Sequence, residues 1–134
     1  MRVLVDTSVW SLALRRKRPK PAPEVEALSE LIAEGRVAML GTIRQEILSG
    51  IRFAEQFDRL NAVLSAIPDE ALSSEDFVEA ARLCNRCISS GIVAGNTDCL
   101  ICSVAISREM KILTTDKDFV HILRIVPVEL YSGD

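Results

Sequence analysis

The chain has 134 residues, 49% of them hydrophobic and 4% aromatic, with 16 Lys and Arg against 19 Asp and Glu for a formal net charge of -3. This length matches a single domain, residues 1–134, able to bury a core without disulfides. The negative balance excludes a surface that holds nucleic acid all over by neutralising phosphates, so any such contact is local. No apolar run reaches the roughly 18–20 residues of a membrane helix, and Val3-Leu4-Val5 is too short for the apolar region of a signal peptide, so a soluble cytoplasmic protein with no membrane partner is expected.

Val3-Leu4-Val5 reads as a first strand, and Ser8 to Leu14 as a short helix after it. Arg15 to Lys20 is a dense basic run followed by Pro21 and Pro23, either a solvated loop or a local phosphate contact. From Glu24 to Glu34, Val25, Leu28, Leu31 and Ile32 share one helical face, and Gly35 is placed to end the helix. Val37 to Leu40 is a short apolar strand. Thr42 with Gln45 matches a capping box for a helix carrying Glu46, closed by Gly50. Phe53, Phe57, Leu60 and Leu64 mark the apolar side of the next helix, which ends before Pro68. Ser73 or Ser74 can cap another, with Gly91 beyond its end. Asn96 or Thr97 can cap a helix from Asp98 to Glu109 that is apolar almost all round. Ile112 to Thr114 follows as a strand, and Ile125 with Val126 as a last one. Strands alternate with helices, are apolar on both faces and lack hairpin dipeptides, which predicts a three-layer α/β/α domain with a parallel sheet of four to five strands flanked by helices.

Cys84-x-x-Cys87 and Cys99-x-x-Cys102 have the outline of a paired zinc knuckle. Their neighbours repeat at helical spacing and no Gly or Pro turns shape a knuckle, so the cysteines read as small buried hydrophobes.

Acidic residues stand at the element junctions. Asp6 leaves the first strand before Thr7-Ser8, where it could equally cap a helix. Glu46 lies near a helix start, where a carboxylate gains from the helix dipole. Asp98 adjoins the apolar Cys99-Leu100-Ile101, where an unpartnered buried carboxylate is costly. Asp116 and Asp118 flank Lys117 in a turn that suits Asp for backbone reasons. In an open parallel sheet the ligand site lies outside the carboxyl ends of the strands, and Asp6 and Asp116 fall there. If Asp6, Glu46, Asp98 and Asp116 converge, their mutual repulsion calls for a cation, and an all-oxygen set suits Mg2+ or Mn2+ better than zinc. His121, the sole histidine, reads as structural rather than as a general base.

Four segments in register carry a resemblance: Val3-Leu-Val-Asp6-Thr-Ser-Val-Trp10, Thr42-Ile-Arg-Gln-Glu46-Ile-Leu-Ser-Gly50, Thr97-Asp98-Cys-Leu-Ile101 and Ile112-Leu-Thr-Thr-Asp116-Lys-Asp118-Phe119. Together they resemble the PIN-domain ribonucleases, and within them the VapC toxins of type II toxin–antitoxin pairs. The resemblance implies a metal-dependent endoribonuclease. Asp6, Glu46, Asp98 and Asp116 would be its catalytic and metal-binding quartet, supported by Thr7 or Ser8 and by Thr114 or Thr115, with Asp118 in a variable role. It implies hydrolysis of RNA with Mg2+ or Mn2+, leaving a 3′-hydroxyl and a 5′-phosphate. It also implies a cognate antitoxin whose arginines could enter the acidic site, and a homodimer, for which the apolar helix faces around Leu28, Leu31, Phe53 and Phe57 are the candidate surfaces, although most of that area reads more simply as core. Arg15 to Lys20, Arg44 and Arg52 are candidates for phosphate contact. Alternatives are an RNA-processing PIN nuclease without an antitoxin, a phosphoacceptor signalling domain, for which a second acid at the first strand end is missing, and a non-catalytic RNA-binding module, against which the intact quartet speaks.

Overall fold

A computed structural model of the chain describes residues 1–15 and 22–133. Most of the basic run therefore lies outside the described residues. At the centre is β1 (Val3–Val5), paired in parallel with β2 (Val37–Ala38) on one side and β3 (Lys111–Leu113) on the other. The registers set Val3 beside Val37 and Lys111, Leu4 beside Ala38 and Ile112, and Val5 beside Leu113. Single parallel bridges extend the sheet at each edge, Met39 with Asp69 and Ile112 with Leu130. Every side chain of β1 is fully buried, as a central parallel strand with helices on both faces requires.

The helices follow the apolar spacing closely. α1 (Thr7–Ala13) and α2 (Pro23–Ala33) pack together, α3 (Gly41–Ser49) follows β2, and α4 (Ala54–Leu64) leans on α3. α5 (Ser74–Ser89) and α6 (Asn96–Ser107) form the most extensive helix pair, with α6 also against β3. α7 (Asp118–Ile122) is a single short helix after β3. Gly35 ends α2 at φ +67°, with the Arg36 N–H donating to Leu31 O at 2.9 Å, a six-to-one closure open mainly to glycine. In α6 every residue from Cys99 to Ala105 is buried, so its all-round apolar sequence reflects burial on all sides.

Some local expectations change. The helix carrying Glu46 starts at Gly41 with Leu40 as its cap, so Thr42 sits inside the first turn, makes no capping bond, and its buried hydroxyl has no partner among the described residues. Likewise α6 starts after Gly95, so Asn96 and Thr97 are helical residues rather than caps. Ser73, by contrast, does cap α5. Ile125 and Val126 do not form the last strand. Their N–H groups donate to Ile122 O at 3.0 and 2.9 Å and continue the turn after α7. The sheet edge is made three residues beyond Pro127, where Ile112 N donates to Glu129 O and Tyr131 N to Ile112 O, at 3.0 and 2.8 Å.

Candidate functional site

Because β1 is central, the chain runs from it to β2 on one side and later to β3 on the other. The crevice of this open sheet thus lies beyond the carboxyl end of β1. Asp6 is the first residue past that end. It is buried, caps α1 through its backbone, and has its side chain held from two sides: Ser8 Oγ and Thr114 Oγ1 each donate to Asp6 Oδ2 at 2.8 Å. Thr114 in turn accepts the Asp116 backbone N–H at 3.0 Å, and Ser8 Oγ accepts that of Thr115 at 3.1 Å. Two hydroxyls therefore tie the exit of β1 to the exit of β3. β3 stops at Leu113, one residue earlier than the sequence suggests, and Thr114 just beyond it bonds to Asp6.

The other acids arrive from separate elements. Glu46 stands on the second turn of α3 and accepts a hydrogen bond from Thr7 Oγ1 at 3.3 Å. Asp116 lies in the turn after β3, where its Oδ1 accepts the Asp118 backbone N–H at 2.9 Å and so shapes the start of α7. Asp98 lies in the first turn of α6, half-buried. Burial, followed by the negative charges of Asp6, Asp116, Asp118 and Glu46, pushes its carboxyl up to about 6. Since all four of these neighbours act on Asp98, five carboxylates from four parts of the chain share one region of space. Among the described residues no three His, Cys, Asp or Glu side chains already form a ligand cage, so the acids face one another through charge rather than contact.

The donor chemistry suits a hard divalent cation. All the groups are oxygens, the doubly anchored Asp6 Oδ2 leaves its Oδ1 available, and Asp98 is ionised only against the repulsion of its neighbours. Mg2+ keeps several of its waters and uses few direct carboxylates, so a preformed cage is not required. The supporting hydroxyls resolve into distinct parts: Ser8 and Thr114 hold Asp6, Thr7 reaches Glu46, and Thr115 contributes only its N–H.

Other candidates sit elsewhere. Arg44 is committed to structure, with Nε donating to Asp69 Oδ1 at 2.9 Å, Nη1 to Leu64 O at 3.1 Å and Nη2 to Ile67 O. Arg52 lies over the Phe53 ring at 5.8 Å. The cysteines are free thiols between α5 and α6, three of them buried, and burial pushes Cys99 and Cys102 up to about 12. What the spacing did not reveal is a cleft of about 350 Å3 between α3, α5 and α6, lined by Thr42, Phe77, Asn96 and Thr97. It adjoins Asp98 on one wall and is one turn from Glu46 on the other. Its signal in the sequence is weak, because its walls come from three helices that only the fold brings together.

The PIN domain family matches residues 3–124 of the chain. The chain belongs to the PIN-domain family. Two mycobacterial members, the VapC ribonuclease Mb1587 of Mycobacterium bovis and ribonuclease VapC11 of Mycobacterium tuberculosis, are each 34% identical to it over 97% of this chain and 98% of theirs. This places it with the VapC ribonucleases. The PIN fold is also seen in solved structures. VapBC2 from Rickettsia felis, bound to a DNA fragment from its promoter, matches with a TM-score of 0.76 at 22% identity over 100% of both chains. FitAcB from Neisseria gonorrhoeae matches with a TM-score of 0.70 at 18% identity over 97% of this chain and 96% of that one. The parallel α/β architecture expected from the sequence is therefore that of the family. Among the described residues no helix is long and apolar enough to cross a membrane.

Proposed function

We propose that this PIN-domain protein is a metal-dependent endoribonuclease, the toxin of a type II toxin–antitoxin pair, with Asp6, Glu46, Asp98 and Asp116 as its catalytic quartet. The observation that carries the reading is the convergence of charge on Asp98 at the carboxyl end of the central strand, in a chain related over nearly its whole length to VapC ribonucleases. A Mg2+ or Mn2+ ion held among the quartet would polarise the phosphoryl oxygens and lower the pKa of a water. The chain's own work is positioning. Ser8 and Thr114 fix the Asp6 carboxylate, Thr7 steadies Glu46, and the Asp116–Asp118 turn aims Asp116 from the next strand. The in-line displacement needs no covalent intermediate, so pre-set geometry and charge carry most of the catalysis. Burial and the neighbouring carboxylates push the Asp98 carboxyl up to about 6, so a proton there would compete with a cation.

The same acidic centre suits a second partner. A cognate antitoxin carrying an arginine could place its guanidinium fork against these carboxylates and block cation and substrate together. A homodimer is the third part of the reading. Leu28 and Leu31 belong to the core, whereas Phe53 is 63% exposed and Phe57 sits half-exposed beside it at the start of α4, so the dimer contact is assigned to that pair. The test incubates the protein with labelled single-stranded RNA and Mg2+ or Mn2+. Cleavage that stops with chelator and drops by orders of magnitude in Asp6→Asn and Asp98→Asn supports the reading. Equal cleavage by both variants overturns it.

A further inference from the structure

The centre is acidic and its proposed substrate is a polyanion, so the strand must be gripped close by to offset the repulsion. Arg44 cannot do this, being tied to Asp69 and two carbonyls. A different place meets the need. Beside α7 lies a trough of about 560 Å3 whose wall carries Asp118, His121 and Arg124, with Ser90 and Val93 opposite. The first three are spaced by three residues each, which keeps them on one face as the helix runs into the turn of Leu123 and Arg124. From Asp118 to Arg124, across α7 and the turn after it, helical rise would cover about 9 Å, which sets the inner end of the trough apart from its outer end.

The two ends of the trough differ in charge. Asp118 marks the inner end, where its charge acts on Asp98. At the outer end Arg124 is exposed and makes no ion pair among the described residues. Arg86 stands at the same rim, its Nη2 donating to Ile125 O at 2.8 Å, and it shares a second hollow with Arg124. His121 adds an imidazole N–H, a donor in either protonation state. Val93, 92% exposed, projects bare apolar surface at the lip, where a base could cover it. Cations and an N–H along one wall with an apolar lip opposite match the backbone and base of single-stranded nucleic acid.

We propose that this trough is a subsite for single-stranded RNA immediately outside the acidic centre, with Arg124 and His121 on a phosphate, Arg86 reinforcing the rim and Val93 against a base. The assignment rests on the ribonuclease reading above. The test measures binding of a labelled single-stranded oligoribonucleotide by anisotropy across a salt series, in an Asp98→Asn background that does not cleave, alongside cleavage kinetics with Asp98 intact. Arg124→Ala is expected to weaken binding and raise KM several-fold with kcat little changed, and to lower the salt slope by about 0.7, the share of one phosphate contact on a single strand. Arg124→Lys should retain much of the binding, and Arg82→Ala, which removes an exposed arginine paired with Glu79 and Glu75, should change nothing. An unchanged salt slope and KM in Arg124→Ala overturn the subsite. If RNA is bound but never cleaved by the wild type, the ribonuclease reading fails while the salt series still judges the trough.

Discussion

At the residue scale the informative group is Thr114. Its hydroxyl donates to Asp6 and accepts from the Asp116 N–H, so one oxygen aligns acids from β1 and β3. Outer partners of this kind typically govern affinity by 10–100-fold. Thr114→Val keeps the β-branched shape and removes only the hydroxyl. It is expected to leave the protein folded, at a cost of about 1 kcal/mol, while weakening Mg2+ or Mn2+ binding by roughly tenfold or more. Calorimetric titration of the metal into the protein measures this without reference to activity, and Thr114→Ser should recover most of the affinity. Metal affinity unchanged in Thr114→Val would show that Asp6 needs no such anchor.

At the scale of elements, α5 and α6 decide where Asp98 stands, and a charged staple clamps the pair. Asp76 accepts Arg108 Nη1 on Oδ1 at 2.8 Å and Nη2 on Oδ2 at 3.1 Å, while its Oδ2 also takes the Ser73 N–H at 2.9 Å. The Arg108 side-chain bond and the Ser73 N–H hold the Asp76 carboxyl down at about 2, below its ordinary 3.8. A carboxyl held low in the folded state stabilises fully above 3.8, and that contribution fades as pH falls from there towards 2. Arg108→Ala is therefore expected to cost about 1.5–3 kcal/mol at pH 7, with the gap to wild type closing as the medium is acidified below about 4. Urea unfolding at several pH values measures both. The staple was not legible in the sequence, because Asp76 and Arg108 are 32 residues apart and neither belongs to a local pattern. The strands, the helix faces and the acids at strand ends were legible, since apolar period and junction position are local properties. The edge at Leu130 was not, because a single bridge leaves no periodic trace, and Ile125 with Val126 offered the stronger apolar signal. Thr42 misled for a similar reason. A capping-box pattern depends on where the helix begins, and this one begins at Gly41 with Leu40 as its cap.

At the scale of the whole molecule, burial separates core from interface where sequence hydrophobicity cannot. Leu28 and Leu31 share an apolar helical face, and Leu31 is fully buried and Leu28 nearly so. Phe53 and Phe57 belong to a pattern of the same kind, but only its far end, Leu64, is fully buried. The near end leaves two aromatic side chains in solvent, with the Arg52 guanidinium lying on the Phe53 ring. Exposed aromatics of this sort are the anchors on which protein interfaces concentrate their energy. The double variant Phe53→Ser, Phe57→Ser is accordingly expected to turn the proposed dimer into a monomer by light scattering over a concentration series, without the loss of fold that core truncation brings. Leu31→Ala is the contrasting case: it removes a fully buried side chain and should cost about 2–5 kcal/mol in the monomer itself. If the Phe variant remains dimeric, the contact lies on another face. If it unfolds like Leu31→Ala, these rings are core after all.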